Sequence, residues 1–216
     1  MLKLAKVLIT AFLGLVALNS SAQPRAVDLG LSVKWASCNL GASTPEDYGS
    51  FYAWGETAPK QKYTWKNYLF RKSGDWSRNV KLTKYVTNPE KGSVDGRSRL
   101  TASDDAARAE LGGRWRMPTY DEMWELVKKC TWTQTTKNGV DGFTIYGPNG
   151  NSIFLPLTGF FSDDKLIGRR ERACFWTSSL RDWDNAAAAC LIYYLNGSTQ
   201  IDMERNVGFP IRAVQD

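Results

Sequence analysis

The segment Thr119-Tyr120-Asp121-Glu122 constrains the fold of this 216-residue chain more than any other. It is a capping box, in which the threonine hydroxyl accepts from the backbone N–H of Glu122 while that carboxylate reaches back to the start of the helix. Met123, Leu126, Val127 and Cys130 then share one helical face and are expected to pack inward, and Lys128 and Lys129 suit the negative end. A first helix is expected over Ala106 to Leu111. Ser103 is positioned to cap it, Asp104 and Asp105 favour its positive end, and Gly112 and Gly113 stop it.

Beyond these helices the chain reads as strands. Phe143 to Tyr146 and Ser152 to Pro156 flank the turn Gly147-Pro148-Asn149-Gly150. Cys174 to Thr177 is another apolar strand. Cys190 to Leu195 and Ser198 to Glu204 flank Asn196-Gly197, a strong hairpin signal, and Phe209 to Val214 closes a sheet. Near the start, Leu31, Val33 and Trp35 alternate with Ser32, Lys34 and Ala36, as in a half-buried strand. Two helices followed by antiparallel strands define an α+β class. Residues 58–100 show neither period cleanly. Tyr63, Trp65, Tyr68, Phe70, Trp76 and Tyr85 make them a long ordered excursion whose aromatics are expected to cover the core.

Lys3 and Lys6 precede an apolar run from Val7 to Leu18, and Ser20-Ser21-Ala22 follows. This pattern is expected to be a cleaved signal peptide over residues 1–22, leaving a single domain over 23–216 with no transmembrane segment. The protein is then secreted, periplasmic or on the cell surface. The formal charge is +6, and removing Lys3 and Lys6 leaves +4. That excess is spread out, with Arg169-Arg170-Glu171-Arg172 its densest spot, so no nucleic-acid module is expected. There is no histidine. Ser-His-Asp and Cys-His catalysis and His-based zinc sites are therefore excluded, and catalysis would need carboxylates, lysine, tyrosine or thiols.

Three blocks carry a resemblance. They are Gly112-Gly113-Arg114-Trp115-Arg116-Met117-Pro118-Thr119, Phe175-Trp176-Thr177-Ser178-Ser179, and Gly208-Phe209-Pro210-Ile211-Arg212-Ala213-Val214. Together with the openings Val27 to Ala42 and Tyr48 to Thr57, they resemble the Fibrobacter succinogenes major paralogous domain family. The resemblance covers about Val27 to Val214. It implies a C-type-lectin-like fold, with two helices packed on short antiparallel sheets and long loops. It also implies that Arg116 and Arg212 lock strands to the helix by pairing with carboxylates or carbonyls, and that Trp115, Trp176 and Phe209 are core. The family often has cysteine where Cys38 and Cys130 stand. Pairing Cys38 with Cys130 and Cys174 with Cys190 is one arrangement, and four buried free thiols are the alternative.

Relatives of this fold, including retroelement-diversified variable proteins, use the C-terminal stretch for binding. Here strand alternation turns Thr199, Ile201 and Met203 inward and Gln200, Asp202 and Glu204 outward. On the partner strand Cys190, Ile192 and Tyr194 point in, with Leu191 and Tyr193 outside. The preceding loop Arg181-Asp182-Trp183-Asp184-Asn185 places a tryptophan beside carboxylates and an amide, a set suited to sugar. The loop residues Arg181 to Asn185, the outward-facing Leu191, Tyr193, Gln200, Asp202 and Glu204, and Asn206 form the expected site for a glycan or a surface protein, with no cofactor. Calcium-dependent sugar binding is an alternative, with Asp182, Asp184 and Asn185 as oxygen donors but no E-P-N or Q-P-D motif. An enzyme similar to the formylglycine-generating enzymes is another. It is opposed by the wide separation of Cys174 and Cys190 in sequence, since those enzymes hold copper with a close cysteine pair.

Overall fold

The computed structural model describes residues 23–74, 80–181 and 184–216. The expected signal peptide, and Trp76, lie outside the described residues. The chain is mixed α+β, with two α-helices and many antiparallel strands gathered into small sheets. Among the described residues no helix is long and apolar enough to cross a membrane.

The opening strands β1 (Ala26–Val27) and β2 (Lys34–Ala36) pair antiparallel. The excursion that follows is ordered by its own aromatics. Tyr63 donates its hydroxyl to the Phe51 carbonyl at 2.6 Å, and Tyr68 donates to Trp54 O at 2.8 Å. Each buried ring thus brings a polar tip that a backbone acceptor satisfies. Phe70 and Tyr85 meet edge-to-face, and Tyr85 meets Trp54 in the same way. The expectation that these aromatics cover the core holds for Tyr63, Tyr68, Phe70 and Tyr85, all buried.

Helix α1 (Ala106–Leu111) is capped by Asp105, whose side chain accepts from Arg108 N at 3.1 Å. Ser103 is not the cap. It lies in a 3-10 turn, Ala102–Asp104, which moves the cap two residues on to Asp105. Gly112 ends the helix at φ 64°, a conformation that favours glycine. After β3 (Trp115–Arg116), helix α2 (Tyr120–Lys129) begins with the capping box as expected. Met123 and Leu126 are buried, while Val127 and Cys130 pack against the same core from partly covered positions.

The remaining strands form three sheets. The first is β4 (Thr131–Lys137), β5 (Val140–Tyr146) and β6 (Ser152–Pro156). A two-stranded hairpin follows, β7 (Phe160–Ser162) with β8 (Lys165–Ile167). The third sheet has the order β11-β10-β9, from β9 (Arg172–Leu180), β10 (Ala187–Tyr194) and β11 (Thr199–Glu204). Strand β4 was not legible because its threonines, lysine and glutamine leave it largely exposed, with no apolar alternation to read. The closing segment is less regular than expected. Only β12 (Val214–Gln215) joins a sheet, between β2 and β3.

Two hydrophobic cores result, and β9 and β10 separate them. Cys174, Trp176, Cys190 and Ile192 face the first core, with Trp54, Tyr85 and Phe209. Ala173, Phe175 and Leu191 face the second, with Trp35, Met123, Leu126 and Phe143. All four cysteines are free thiols. Cys174 stands opposite Ile192 and Cys190 opposite Trp176, so the two are diagonal neighbours across the strands rather than a directly opposed pair. Diagonal positions lie farther apart than a disulfide usually spans.

Arg212 and Arg116 each fasten separate segments of the chain. Arg212 is fully buried and donates to Asn39 Oδ1, Ala36 O and Phe154 O at 2.9, 3.0 and 2.9 Å. It joins the closing segment to β2 and β6. Burial pushes its pKa down, and the neighbouring Cys38 thiol is itself pushed up by burial. Arg116 grips both Glu122 carboxylate oxygens, at 2.8 and 2.7 Å, and also reaches Asp216. Gly208 lies against the Tyr63 ring, where a Cβ would come within 2.7 Å of ring carbons.

R212M strands three buried acceptors and is expected to lower the free energy of unfolding by about 3 kcal/mol or more, measured by urea denaturation. Burial alone would raise the Glu122 carboxyl, but the Arg116 and Thr119 hydrogen bonds outweigh it and hold it below its ordinary 4.5. A lowered folded value gives stability that is present above pH 4.5 and lost as pH falls through the folded pKa. E122Q is therefore expected to be less stable at neutral pH, with a shallower loss of stability below pH 4.5 in acid titrations followed by circular dichroism.

Candidate functional site

The structure divides the expected site residues into two groups. Asp182 and Trp183 lie outside the described residues. Asn185, Leu191 and Asn206 are buried, with Leu191 1% exposed. Leu191 and Tyr193 do not face solvent as the alternation implied. The face of β10 that they share is covered by the second core, which a rule of one buried face per strand does not anticipate. Tyr193 stacks on Trp132 at 4.2 Å between centroids and meets Phe143 edge-on at 5.1 Å.

Asn185 serves as a tether. Its Oδ1 accepts from Thr87 N and Asn88 N, both at 2.7 Å, and its Nδ2 donates to Thr87 Oγ1 at 2.8 Å. Asn88 in turn caps the 3-10 turn Pro89–Lys91. Lys91 Nζ lies 3.8 Å from Asp184, whose Oδ1 accepts from Ala186 N. The turn before β10 is thus bound to the excursion loop. Asn206 holds another part of that excursion by donating to Tyr63 O at 3.2 Å. The Asn185 side-chain oxygen already accepts two hydrogen bonds, which weakens the three-residue set named for calcium. Among the described residues, no group of three or more His, Cys, Asp or Glu is placed to share a metal ion.

Strand β11 keeps its side chains near the surface. Its residues Thr199 to Met203 are only partly buried, and Glu204 is exposed. A register shift between Ala189 and Ile192 breaks the expected alternation. Gln200 stands opposite Ile192 and accepts from Tyr194 OH, on the side of the first core. Asp202 stands opposite Ala189, and its carboxylate lies 3.7 Å from Arg181 Nε. Gln200 and Asp202 are thus both engaged with neighbouring side chains.

Arg181 leads from the sheet to a feature that sequence reasoning missed. Its guanidinium lies 5.4 Å from the centroid of the Tyr120 ring. Tyr120 and Trp124 are near-parallel, 10° apart with centroids at 6.3 Å, and Lys128 stands 5.3 Å over Trp124. Both rings are half-buried. Their spacing of four along α2, off the face that buries Met123 and Leu126, was the available signal. Tyr120 is fixed to the sheet by its backbone N–H, which donates to Ser179 Oγ at 3.1 Å. The result is a strip of two rings, two cations and the Asp202 carboxylate. Apolar ring surface beside charged hydrogen-bonding groups is the equipment that holds a sugar ring and its hydroxyls.

Cys174 and Cys190, far apart in sequence, come together across β9 and β10, so sequence separation is not what opposes an oxidase. Burial does. Both thiols are sealed in the first core, and desolvation pushes each well above its ordinary pKa, away from the reactive thiolate.

The chain matches no family model, and neither a curated protein nor a solved structure matches it.

Replacing Asn185 with alanine is expected to release the Thr87 and Asn88 amides. Hydrogen exchange should accelerate at those two residues and stay slow in β9 and β10, at a cost of about 1–3 kcal/mol in stability.

Proposed function

We propose that this chain is an exported, non-enzymatic binding module with a C-type-lectin-like fold, related to the Fibrobacter succinogenes major paralogous domain family. Its ligand is a glycan at a bacterial surface. The surface that takes it joins α2 to the β9–β11 sheet. The observation that carries this reading is the strip formed by Arg181, Tyr120, Trp124 and Lys128, with Asp202 beside it. Half-exposed aromatic rings supply contact area at low entropic cost, and the flanking charges supply direction.

The strip also revises which of the expected residues act. Arg181 and Asp202 stay in the site, and Glu204 lies exposed at the end of the same strand. Leu191, Asn185 and Asn206 support it from within. The network of Asn185, Asn88 and Asp95 orders the excursion loop before any ligand arrives, since Asp95 accepts from Tyr85 N and Val86 N. A surface ordered in advance loses less entropy on binding.

The test is a glycan array with the protein from residue 23, followed by calorimetry on the best ligand. Y120A and W124A are each expected to weaken that affinity about tenfold or more, equivalent to 1.4 kcal/mol, with little change in melting temperature because the rings are half-exposed. Unchanged affinity in both variants removes this surface from the site. Absence of any glycan ligand removes the function.

A further inference from the structure

A cleft of about 150 Å³ lies beside the aromatic strip, lined by Arg99, Asp105, Arg108, Arg116, Met117 and Ser178. The three arginines come from three separate stretches of chain, so no run of basic sequence announces them. Arg99 precedes Leu100, whose N–H donates to Ser178 O. Arg108 sits in α1 and donates to Gly113 O, and Arg116 sits in β3. The carboxylate of Asp216 binds Arg116, and its pKa is pulled down first by that hydrogen bond, with Arg99 and Arg108 adding their charge. A carboxylate thus already sits on Arg116 at the edge of the cleft, in the field of the other two guanidinium groups.

That occupant is weakly held. The Asp216 side chain is 68% exposed, and an ion pair so open to water contributes little. Two other carboxylates bear on the cleft. Asp105 forms part of its lining, with oxygens taken by Met117 N and Arg108 N, and Glu122 is paired with Arg116. Three arginines against these two acids leave one positive charge when Asp216 moves aside. The positive charge of the whole chain adds long-range attraction for anions.

The cleft and the strip share a seam. Ser178 N donates to Pro118 O at 2.7 Å, and Tyr120 N donates to Ser179 Oγ. Met117 lines the cleft and Tyr120 begins the strip, so at most about 10 Å of extended backbone separates them. One ligand of a few sugar rings can reach both.

Resting on the glycan reading above, we infer that the ligand is an anionic saccharide. Its carboxylate or sulfate group enters the cleft of Arg99, Arg108 and Arg116 in place of Asp216, and a neighbouring ring lies on the Tyr120–Trp124 strip. Arginine suits this role because its planar fork matches an oxyanion with paired hydrogen bonds.

The experiment compares matched ligands on the protein from residue 23: oligogalacturonate with its carboxyl-reduced neutral form, and sulfated with unsulfated dextran oligosaccharide. The acidic member of at least one pair is expected to bind about tenfold or more tightly, with an advantage that shrinks as sodium chloride rises. The pair that shows it tells carboxylate from sulfate. Doubly substituted Arg99→Gln and Arg108→Gln protein should lose that advantage and keep its affinity for the neutral form. D216N, a surface change that spares the fold, should strengthen acidic binding several-fold by removing the competitor. Equal binding of acidic and neutral forms, or an advantage that survives both arginine substitutions, overturns the inference and leaves the glycan reading standing. Failure of every saccharide to bind removes both.

Discussion

The pair of strands β9 and β10 is buried on both faces, and the rest of the molecule is arranged around that constraint. Apolar side chains alternate along them into two separate cores. A sheet covered on one side only would need one layer against it; this one needs two. The opening segment and the excursion supply the first layer, and α2 with the β4–β6 sheet supplies the second. Indole groups pin the first layer in place. Trp176 Nε1 donates to Tyr52 O and Trp54 Nε1 donates to Thr177 O, both at 2.8 Å. These two bonds run in opposite directions between β9 and the opening segment. They satisfy buried donors while fixing the offset between the two chains.

That arrangement explains which parts of the fold could be read from sequence. The α2 capping box and the Asn196-Gly197 hairpin were legible because each depends on neighbours a few residues apart. The position of the first cap was misread because Ser103 and Asp105 are both competent caps, and only the 3-10 turn over Ala102–Asp104 decides between them. The outward assignment of Leu191 failed for a different reason. Local alternation shows that two faces differ, but it cannot show that a second core covers the face taken to be solvent-exposed. The register shift between β10 and β11 and the approach of Asp202 to Arg181 are likewise tertiary events.

Buried charge is used in this molecule chiefly to fasten backbone. Arg212 and Arg205 are both fully buried. Arg205 donates to the carbonyls of Lys84 and Tyr85, and its guanidinium lies 4.8 Å from the Trp54 ring. Neither shares a salt bridge with an acid among the described residues. Arg212 instead gathers oxygens from β2, β6 and the Asn39 side chain, and Arg205 gathers carbonyls of the excursion loop. A planar group with five donors does this where no lysine could. Arg212, which stood out in the sequence, is therefore a fastener. Arg99 and Arg108 of the cleft were inconspicuous because they stand apart along the chain.

Asn185 has a consequence for how this surface can change over generations. The turn before β10 is joined to Thr87 and Asn88, so two distant stretches of chain hold a single shape through one side chain. Substitutions at Gln200, Asp202 or Glu204 alter what the surface displays and leave that joint untouched. Substitution at Asn185 alters the backbone on which the display rests. Substitution is thus mild along β11 and disruptive at Asn185, so the side chains shown at this surface can differ while the frame beneath them stays the same.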